Sequence, residues 1–322
     1  MVQPRGHRRR KNRPGAHSRS EEDGRFRNSR VPAEQGDPVI PPERLGKALS
    51  TALAAHGGAP LSSDPVEFAH RYRARKDMEA AAFIAASFAF GNVAQIRAFL
   101  DRLFLALAPS PHRALTGRGP IPADLVSGLR HRFISSAGVH RFLGCMRGVY
   151  IEHGTLEALY RKGMTDPGRG PCDRLARFLD GFRAKWGPGL GRQRDFLFPD
   201  PRKGSACKRH NLFLRWMVRG GDGVDLGIWT VLSPRDLIVP LDTHMARMGR
   251  LMGLTARRSP SFRMAEDITG AFRAVCPDDP VKFDFALTRI GILGECTVRR
   301  RGACDVCSVA MACSRRNTPR GI

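Results

Sequence analysis

Apolar residues along the chain recur at the three- and four-residue spacing of an α-helix, without convincing strand-like alternation. This pattern predicts helices at Glu43–His56, Lys76–Gly91 and Val93–Leu107, with Asn92 as the N-cap of the third. Further helices are predicted at 123–134, 137–151, 154–163, 172–186, 205–219, 243–252, 264–275 and 280–293. The chain is therefore expected to be all-α.

The predicted helix Lys76–Gly91 is apolar nearly all round, which favours a buried central position. Phe213 and Trp216 lie on another apolar helix and are expected to be core residues. The segments 109–122 and 188–201 are rich in proline or glycine and are predicted to be irregular links, whereas 225–239 has no clear assignment.

The net charge of the chain indicates which class of molecule it binds. The chain of 322 residues has a formal net charge of +24, and it is 42% hydrophobic but only 7% aromatic. Such an excess of cations favours a polyanion, because each Lys or Arg bound to a phosphate releases a condensed counterion. A membrane surface and a compositional bias toward arginine are the alternatives. Charge alone does not separate DNA from RNA.

The chain is expected to have three parts. Residues 1–40 are predicted to form a disordered basic tail, 41–295 an all-α domain, and 296–322 a cysteine-rich loop with a basic end. The most apolar stretch, Met78–Val93, contains Glu79 and is too short to span a bilayer. The basic start lacks the apolar run of a secretory signal. We expect a monomeric cytoplasmic protein, associated with the nucleoid and not with membranes.

Four of the eight cysteines lie close together, at Cys296, Cys304, Cys307 and Cys313. Four thiolates at this spacing suit a tetrahedral zinc ion or an iron–sulfur cluster, and unrelated thiols are the third alternative. The scattered cysteines are predicted to be small core residues: Cys145, Cys172, Cys207 and Cys276. Arginines near the four indicate an acidic neighbour: Arg299, Arg300, Arg301, Arg315 and Arg316.

The spacing Cys-x7-Cys-x2-Cys-x5-Cys resembles the C-terminal iron–sulfur loop of the endonuclease III branch of helix-hairpin-helix DNA glycosylases, whose first gap is one residue shorter. The segment VPLDTHMARMGRLMGL resembles the Asp-Thr-His helix start of that family, with Arg247 in the place of its arginine. The segment GSACKRHN is similar to the hairpin motif of its lyases, although Ala206 replaces the second glycine. Residues 45–315 look most similar to an uncharacterised bacterial family distantly related to these enzymes.

This resemblance implies an all-α, two-lobed helix-hairpin-helix DNA glycosylase-like fold with DNA across the cleft between the lobes. It implies a [4Fe–4S] cluster on the four cysteines, with zinc as the alternative. The implied function is base excision repair, in which a DNA glycosylase cleaves the N-glycosidic bond of a flipped base and an AP lyase activity can follow. A non-catalytic nucleic-acid-binding protein on the same scaffold and an RNA-directed relative are the alternatives.

The resemblance assigns catalytic roles to Asp242 and Lys208. A carboxylate near the sugar stabilises the oxocarbenium-like transition state, and a lysine amine can form a Schiff base with C1′. Asp242 alternatively serves as an ordinary helix N-cap, and Lys208 as a phosphate contact. The candidate DNA-binding residues are Gly204, Ser205, Ala206, Arg209 and Arg247.

Two further residues are candidates for the base pocket. Trp229 is expected to stack on a flipped base or to pack in the core. His244 is expected to orient Asp242 or to make a structural hydrogen bond near the helix start.

Overall fold

The computed structural model describes residues 40–57, 64–165, 168–296 and 304–314. Within these ranges the protein has no β-strand, which confirms the all-α expectation, and none of its helices is long and apolar enough to cross a membrane. The proposed basic tail, apart from residue 40, and the arginines at 299–301, 315 and 316 lie outside the described residues. The helices are α1 (Pro42–His56), α2 (Glu67–His70), α3 (Arg75–Ser87), α4 (Val93–Ala106), α5 (Pro111–Thr116), α6 (Ser136–His153), α7 (Leu156–Lys162), α8 (Pro171–Arg183), α9 (Gly191–Leu197), α10 (Lys208–Val218), α11 (Thr243–Leu251), α12 (Phe262–Val275) and α13 (Asp284–Ile292).

Most predicted helices are confirmed, with ends that differ by a few residues. At the start of α4, the predicted N-cap residue fixes the boundary. Its N-cap Asn92 has extended backbone angles, and its side chain accepts a hydrogen bond from the amide of Ala94 at 2.9 Å. The helix predicted at 123–134 is wrong, because only a 3₁₀ turn, Ala123–Val126, forms there. Gly128 and Arg132 both have positive φ, at 70° and 54°, which is incompatible with a right-handed helix.

Two short helices lie inside the segments that were predicted to be irregular. Helix α5 begins at Pro111, directly after Ser110, whose side chain accepts from the amide of Arg113 at 3.2 Å. Proline at the first helical position costs no hydrogen bond, since that N–H has no partner within the helix. Helix α9 occupies part of the second segment and follows Leu190, which has φ of 53°.

Helix α3 is the centre of the apolar core, as predicted from its sequence. Phe83 is fully buried and stacks on Phe182 with ring centroids 4.7 Å apart, while Phe213 of α10 meets it edge-on at 5.0 Å. Burying one such side chain stabilises the fold by about 1.5–3 kcal/mol. Trp216, also on α10, is fully buried, so the expectation of core positions for Phe213 and Trp216 is confirmed.

The helices fall into two groups by their contacts. Helices α2 to α10 pack mainly around α3 and α6. Helix α1, although it comes first in the chain, packs against α12 and α13, and α11 packs against α13. The 3₁₀ turn Ala310–Ala312, within the cysteine segment, packs on α1, where Arg44 donates to the carbonyl of Met311. The C-terminal elements and α1 therefore form one group.

Candidate active site

A cavity of about 1480 Å³ lies where the two groups of helices meet. Its lining includes Lys208 from α10, Asp242 before α11 and Asp284 from α13. Small-molecule sites usually have volumes of about 300–1,000 Å³, so this cavity is larger than a small ligand requires. The two residues that the sequence proposed as catalytic thus line the same cavity, although they come from different groups of helices.

The approach to Lys208 is a tight turn built from unusual backbone angles. Gly204 has φ of 90° and Cys207 has φ of 47°, so the chain turns through two left-handed residues before α10 begins. Ser205 and Ala206 line the cavity, and no side chain caps the helix start. An uncapped helix start exposes amide donors that attract anions. Of the predicted hairpin residues, Ser205 and Ala206 are at the cavity, and Gly204 supplies the turn.

Asp242 is the N-cap of α11. Its Oδ1 accepts a hydrogen bond from the backbone amide of Met245 at 2.7 Å, so the capping role considered from the sequence is confirmed. The side chain is also partly exposed and lines the cavity. One Asp242 oxygen therefore fixes the helix start while the carboxylate remains accessible from the cavity.

Buried ion pairs connect the floor of the cavity to the core. Arg215, one of the most buried charged residues, donates from Nη1 to Asp284 Oδ2 at 2.8 Å and from Nε to Asp225 Oδ2 at 3.1 Å. Asp225 also accepts from Arg219. A buried guanidinium requires such partners, because an unpaired charge in the interior costs several kcal/mol.

The electrostatics of Asp284 depend on the other cavity residues. The pKa of Asp284 is raised to about 6, mainly by burial; the negative charge of Asp242 contributes to the rise, while Arg215 and Lys208 oppose it. Burial also raises the pKa of Asp64, which lines the same cavity, and Arg215 and Lys208 oppose this shift. These mutual effects place the carboxylates and the lysine within electrostatic reach of one another.

Arg209 and Trp229 are both largely buried, although both were candidates for contact with nucleic acid. Arg209 was predicted to contact DNA, but it is buried, donates to the carbonyls of Ser87 and Phe196, and lies 4.3 Å from the centroid of the Phe196 ring. Two of its nitrogens, Nη1 and Nη2, are therefore bonded within the protein, although Arg209 also lines the cavity. Trp229 was the pocket candidate, but it is only 4% exposed and does not line the cavity. Its core alternative is the one the structure supports.

His244 and Arg247 do not line the cavity either. His244 packs against Gly291 of α13, where an added Cβ would lie 2.5 Å from the His244 Nδ1. Its position is therefore set by the close approach of α11 and α13. Arg247 is partly buried, and its Nε and Nη2 have no hydrogen-bond partner among the described residues. The predicted roles of these residues in substrate and DNA binding have no support from their positions.

Helix α11 links the cavity to the cysteine segment. Asp242 precedes its first residue, and near its end the carbonyl of Leu251 accepts from Ser314 Oγ at 2.9 Å. Nine residues of helix span about 13 Å, so the cavity and the cysteine segment lie at opposite ends of one short, rigid element. Arg247 lies one turn before Leu251, on the same side of the helix.

The four C-terminal cysteines lie near one another. Burial raises the pKa of Cys307, and the charges of Cys296, Cys313 and Cys304 raise it too. In the described parts of the chain, no three His, Cys, Asp or Glu side chains form a group that could hold a metal ion. Ser308, beside Cys307, has a buried hydroxyl without a hydrogen-bond partner among the described residues, as have two nitrogens of Arg247. The four thiols thus lie close together without being arranged around a single ion.

The other four cysteines match their predicted structural role only in part. Cys145 and Cys207 are buried, and burial raises the pKa of each thiol to about 12, so neither is a reactive thiolate. Cys172 and Cys276 are only partly buried.

Asp284, Arg215 and Asp64 were not proposed from the sequence. For Arg215 a signal was present, because a single arginine interrupts the apolar run of α10 and must find carboxylates if that helix is buried. Asp64 and Asp284 carry no such signal, since acidic residues near helix starts are common. Only the packing of α2, α10 and α13 brings them to the cavity.

These features define an all-helical protein with a large cavity bordered by paired carboxylates and cations. The chain belongs to the DUF2400 family, described as a protein of unknown function, whose family model matches residues 64–293. The match includes Lys208, Asp242 and Asp284 and ends before Cys296. No curated protein and no solved structure shows a significant match to the chain.

Proposed function

We propose that this protein binds DNA and cleaves the N-glycosidic bond of a base flipped into the cavity, with AP lyase activity at the resulting site. The observation that carries the proposal is that Lys208 and Asp242, from different groups of helices, line one cavity of about 1480 Å³. The motifs around both residues resemble those of helix-hairpin-helix DNA glycosylases. The net charge of +24 supports a polyanionic partner, and a protein with this activity would work on the nucleoid.

In the proposed reaction, the carboxylate of Asp242 stabilises the positive charge that develops on the sugar as the bond to the base breaks. The amine of Lys208 attacks C1′ and forms a Schiff base, from which β-elimination follows. The uncapped start of α10, with Ser205 and Ala206, offers backbone amides to a phosphate beside the flipped nucleotide. The two-lobed helix-hairpin-helix architecture is part of this proposal.

Borohydride trapping on oligonucleotides with abasic sites or damaged bases tests the lyase step. The wild-type protein is expected to form a covalent adduct, and Lys208→Ala to form none. Lys203→Ala is the matched control, because Lys203 is an exposed lysine that also lines the cavity. Adduct formation by Lys208→Ala at the wild-type level would remove this lysine from the mechanism.

Single-turnover base excision tests the role of Asp242. Asp242→Asn keeps a side-chain oxygen for the cap but removes the charge, so we expect a rate loss of about 10²–10⁴-fold with little change in folding. Undiminished excision would contradict the assignment. Salt-dependent DNA binding without turnover by the wild type would favour the non-catalytic alternative, and turnover on RNA alone would favour the RNA-directed one.

The proposal includes a [4Fe–4S] cluster held by Cys296, Cys304, Cys307 and Cys313, with a structural role beside α1 and α11. Support comes from the proximity of the four thiols and from the buried hydroxyl of Ser308, beside Cys307, which has no hydrogen-bond partner among the described residues. Protein purified without oxygen is expected to be brown and to contain iron and sulfide. A colourless protein with one zinc per chain would establish the alternative.

A further inference from the structure

We propose that Asp284 is the proton acceptor of the cavity and takes the proton that Lys208 must lose before its amine can attack the sugar. This inference rests on the proposed function. It adds a residue that belongs to neither of the motifs around Lys208 and Asp242, and it supplies a path for the proton.

The position of Asp284 suits this role. It is the first residue of α13, is 5% exposed and lines the cavity. Its Oδ2 accepts from Arg215 at 2.8 Å, which holds the carboxylate in place from the protein side. Its Oδ1 has a single weak contact among the described residues, with Thr288 Oγ1 at 3.4 Å. One oxygen is therefore anchored, and the other retains the capacity to accept a proton.

Charged groups of α10 and of the start of α11 act on the pKa of Asp284. Lys208 and Arg215 of α10 favour its ionised form, Asp242 before α11 disfavours it, and Arg289 of α13 also lines the cavity. Arg215 also donates to Asp225, which therefore competes with Asp284 for the same guanidinium. Burial outweighs the cations and keeps the pKa of Asp284 raised, at about 6. A carboxylate with a pKa near neutral can both accept a proton and return it, which an ordinary exposed aspartate does poorly.

The two carboxylates of the cavity thus have different surroundings. Asp242 is partly exposed and is held by a backbone amide, whereas Asp284 is buried and paired with a guanidinium. When the environments of two neighbouring carboxylates differ in this way, one commonly stabilises charge and the other transfers protons. The structure assigns the first role to Asp242 and the second to Asp284.

Two protons move in the proposed reaction. Asp284 accepts one proton from the Lys208 ammonium, and the free amine forms a bond to C1′ as the bond from C1′ to the base breaks. The electron pair of that bond leaves on the base, which takes the proton back from Asp284. The bond from C1′ to the ring oxygen then breaks as the nitrogen passes one proton to that oxygen and forms its second bond to C1′, which leaves a protonated imine; no oxidant or reductant is required.

The test is the pH dependence of Schiff-base trapping in single turnover from pH 5 to pH 8.5. The wild-type rate is expected to fall below about pH 6, by tenfold for each pH unit once Asp284 is protonated. In Asp284→Asn the rate at pH 8 is expected to fall by about 10²–10⁴-fold, and the decline near pH 6 to disappear. Asp225→Asn is the matched control, since it removes the other carboxylate partner of Arg215 but does not line the cavity. We expect it to keep the wild-type pH profile even if it unfolds more easily.

The outcomes separate this inference from the proposed function. Adduct formation by the wild type, with an unchanged rate and pH profile in Asp284→Asn, would overturn the role of Asp284 and leave the lyase proposal standing. Absence of any wild-type adduct would overturn both. A purely structural Asp284 would lower the unfolding midpoint of Asp284→Asn without changing the pH profile of the remaining folded protein.

A second measurement covers the case in which Asp284→Asn does not fold. In protein labelled with ¹³C at aspartate carboxyl groups, the Asp284 resonance is expected to titrate near pH 6. Its midpoint should move upward in Lys208→Ala and downward in Asp242→Asn, because these variants remove a positive and a negative neighbour. A midpoint that neither variant moves would contradict the proposed coupling.

Discussion

Two buried carboxylates, Glu79 in the core and Asp284 at the cavity, show how similar burial serves different purposes. Glu79 is 4% exposed and accepts from the amides of Leu156 and Glu157, at 2.9 and 3.1 Å, and from Trp229 Nε1 at 2.8 Å. Burial raises the pKa of Glu79, as it does for Asp284. If a raised pKa were the sole criterion for a catalytic residue, both carboxylates would be candidates.

The partners of the two groups distinguish them. Glu79 holds the start of α7 with neutral donors and does not line the cavity, so both of its oxygens are used within the fold. Asp284 is paired with one cation and borders the space that Lys208 and Asp242 also border. A raised pKa therefore marks burial, and only the surroundings indicate whether a proton can be exchanged with a substrate.

Loss of Arg215 should have the largest effect on the cavity side. Arg215→Met leaves Asp225 and Asp284 without their shared buried cation, and we expect the free energy of unfolding to fall by about 3–5 kcal/mol. Urea unfolding provides the measurement. Arg202→Met is the control, because Arg202 makes ion pairs with Asp180 and Asp200 but is exposed, so its loss should cost less than about 1 kcal/mol. Equal losses in the two variants would contradict the buried network.

The pH dependence of the free energy of unfolding tests the raised pKa of Asp284. The pKa of Asp284 is raised from 3.8 to about 6, so the folded protein retains a proton in this window that the unfolded chain has released. The stability of the wild type relative to Asp284→Asn should therefore decline as pH rises from about 4 to about 6 and level off above. The decline is at most about 3 kcal/mol, at 1.4 kcal/mol per pKa unit. A difference that is constant with pH would show that Asp284 titrates normally.

On the core side, Glu79→Ala removes the acceptor for two buried amides and an indole. We expect a loss of about 2–3 kcal/mol in the free energy of unfolding, because those donors are left without partners. Glu79→Gln keeps one carbonyl acceptor and should lose less. Neither variant should change the pH profile of trapping, since Glu79 does not border the cavity. A changed profile would break the distinction between the two carboxylates.

The smallest expected effect belongs to Trp229→Phe. The replacement keeps an aromatic ring against Phe213 but removes the donor to Glu79, so a loss of about 1–2 kcal/mol in unfolding free energy is expected. Adduct formation should be unchanged in the folded fraction. A selective loss of activity, with stability preserved, would return Trp229 to the base pocket.

Periodicity alone predicted most of the long helices, because a helix in a packed protein must place its apolar residues on one side. It missed α5 and α9, which are only six and seven residues long, and it extended a helix over Gly128 and Arg132, whose positive φ values depend on tertiary contacts. Helices of two turns or fewer offer few residues from which to read a period, although α7, also seven residues long, was predicted.

For the candidate site, the sequence by itself determined which residue types were available, and the resemblance to glycosylase motifs that we proposed from it singled out Lys208 and Asp242. The tertiary structure decided that these two residues share a cavity, that Trp229 and Arg209 are buried inside the protein, and that Asp284 joins the pair. The reason is physical: local pattern specifies which side of a helix is buried. The helices α10, α11 and α13 meet only through packing between residues far apart in the chain, and that packing sets both the burial of a charge and its partners.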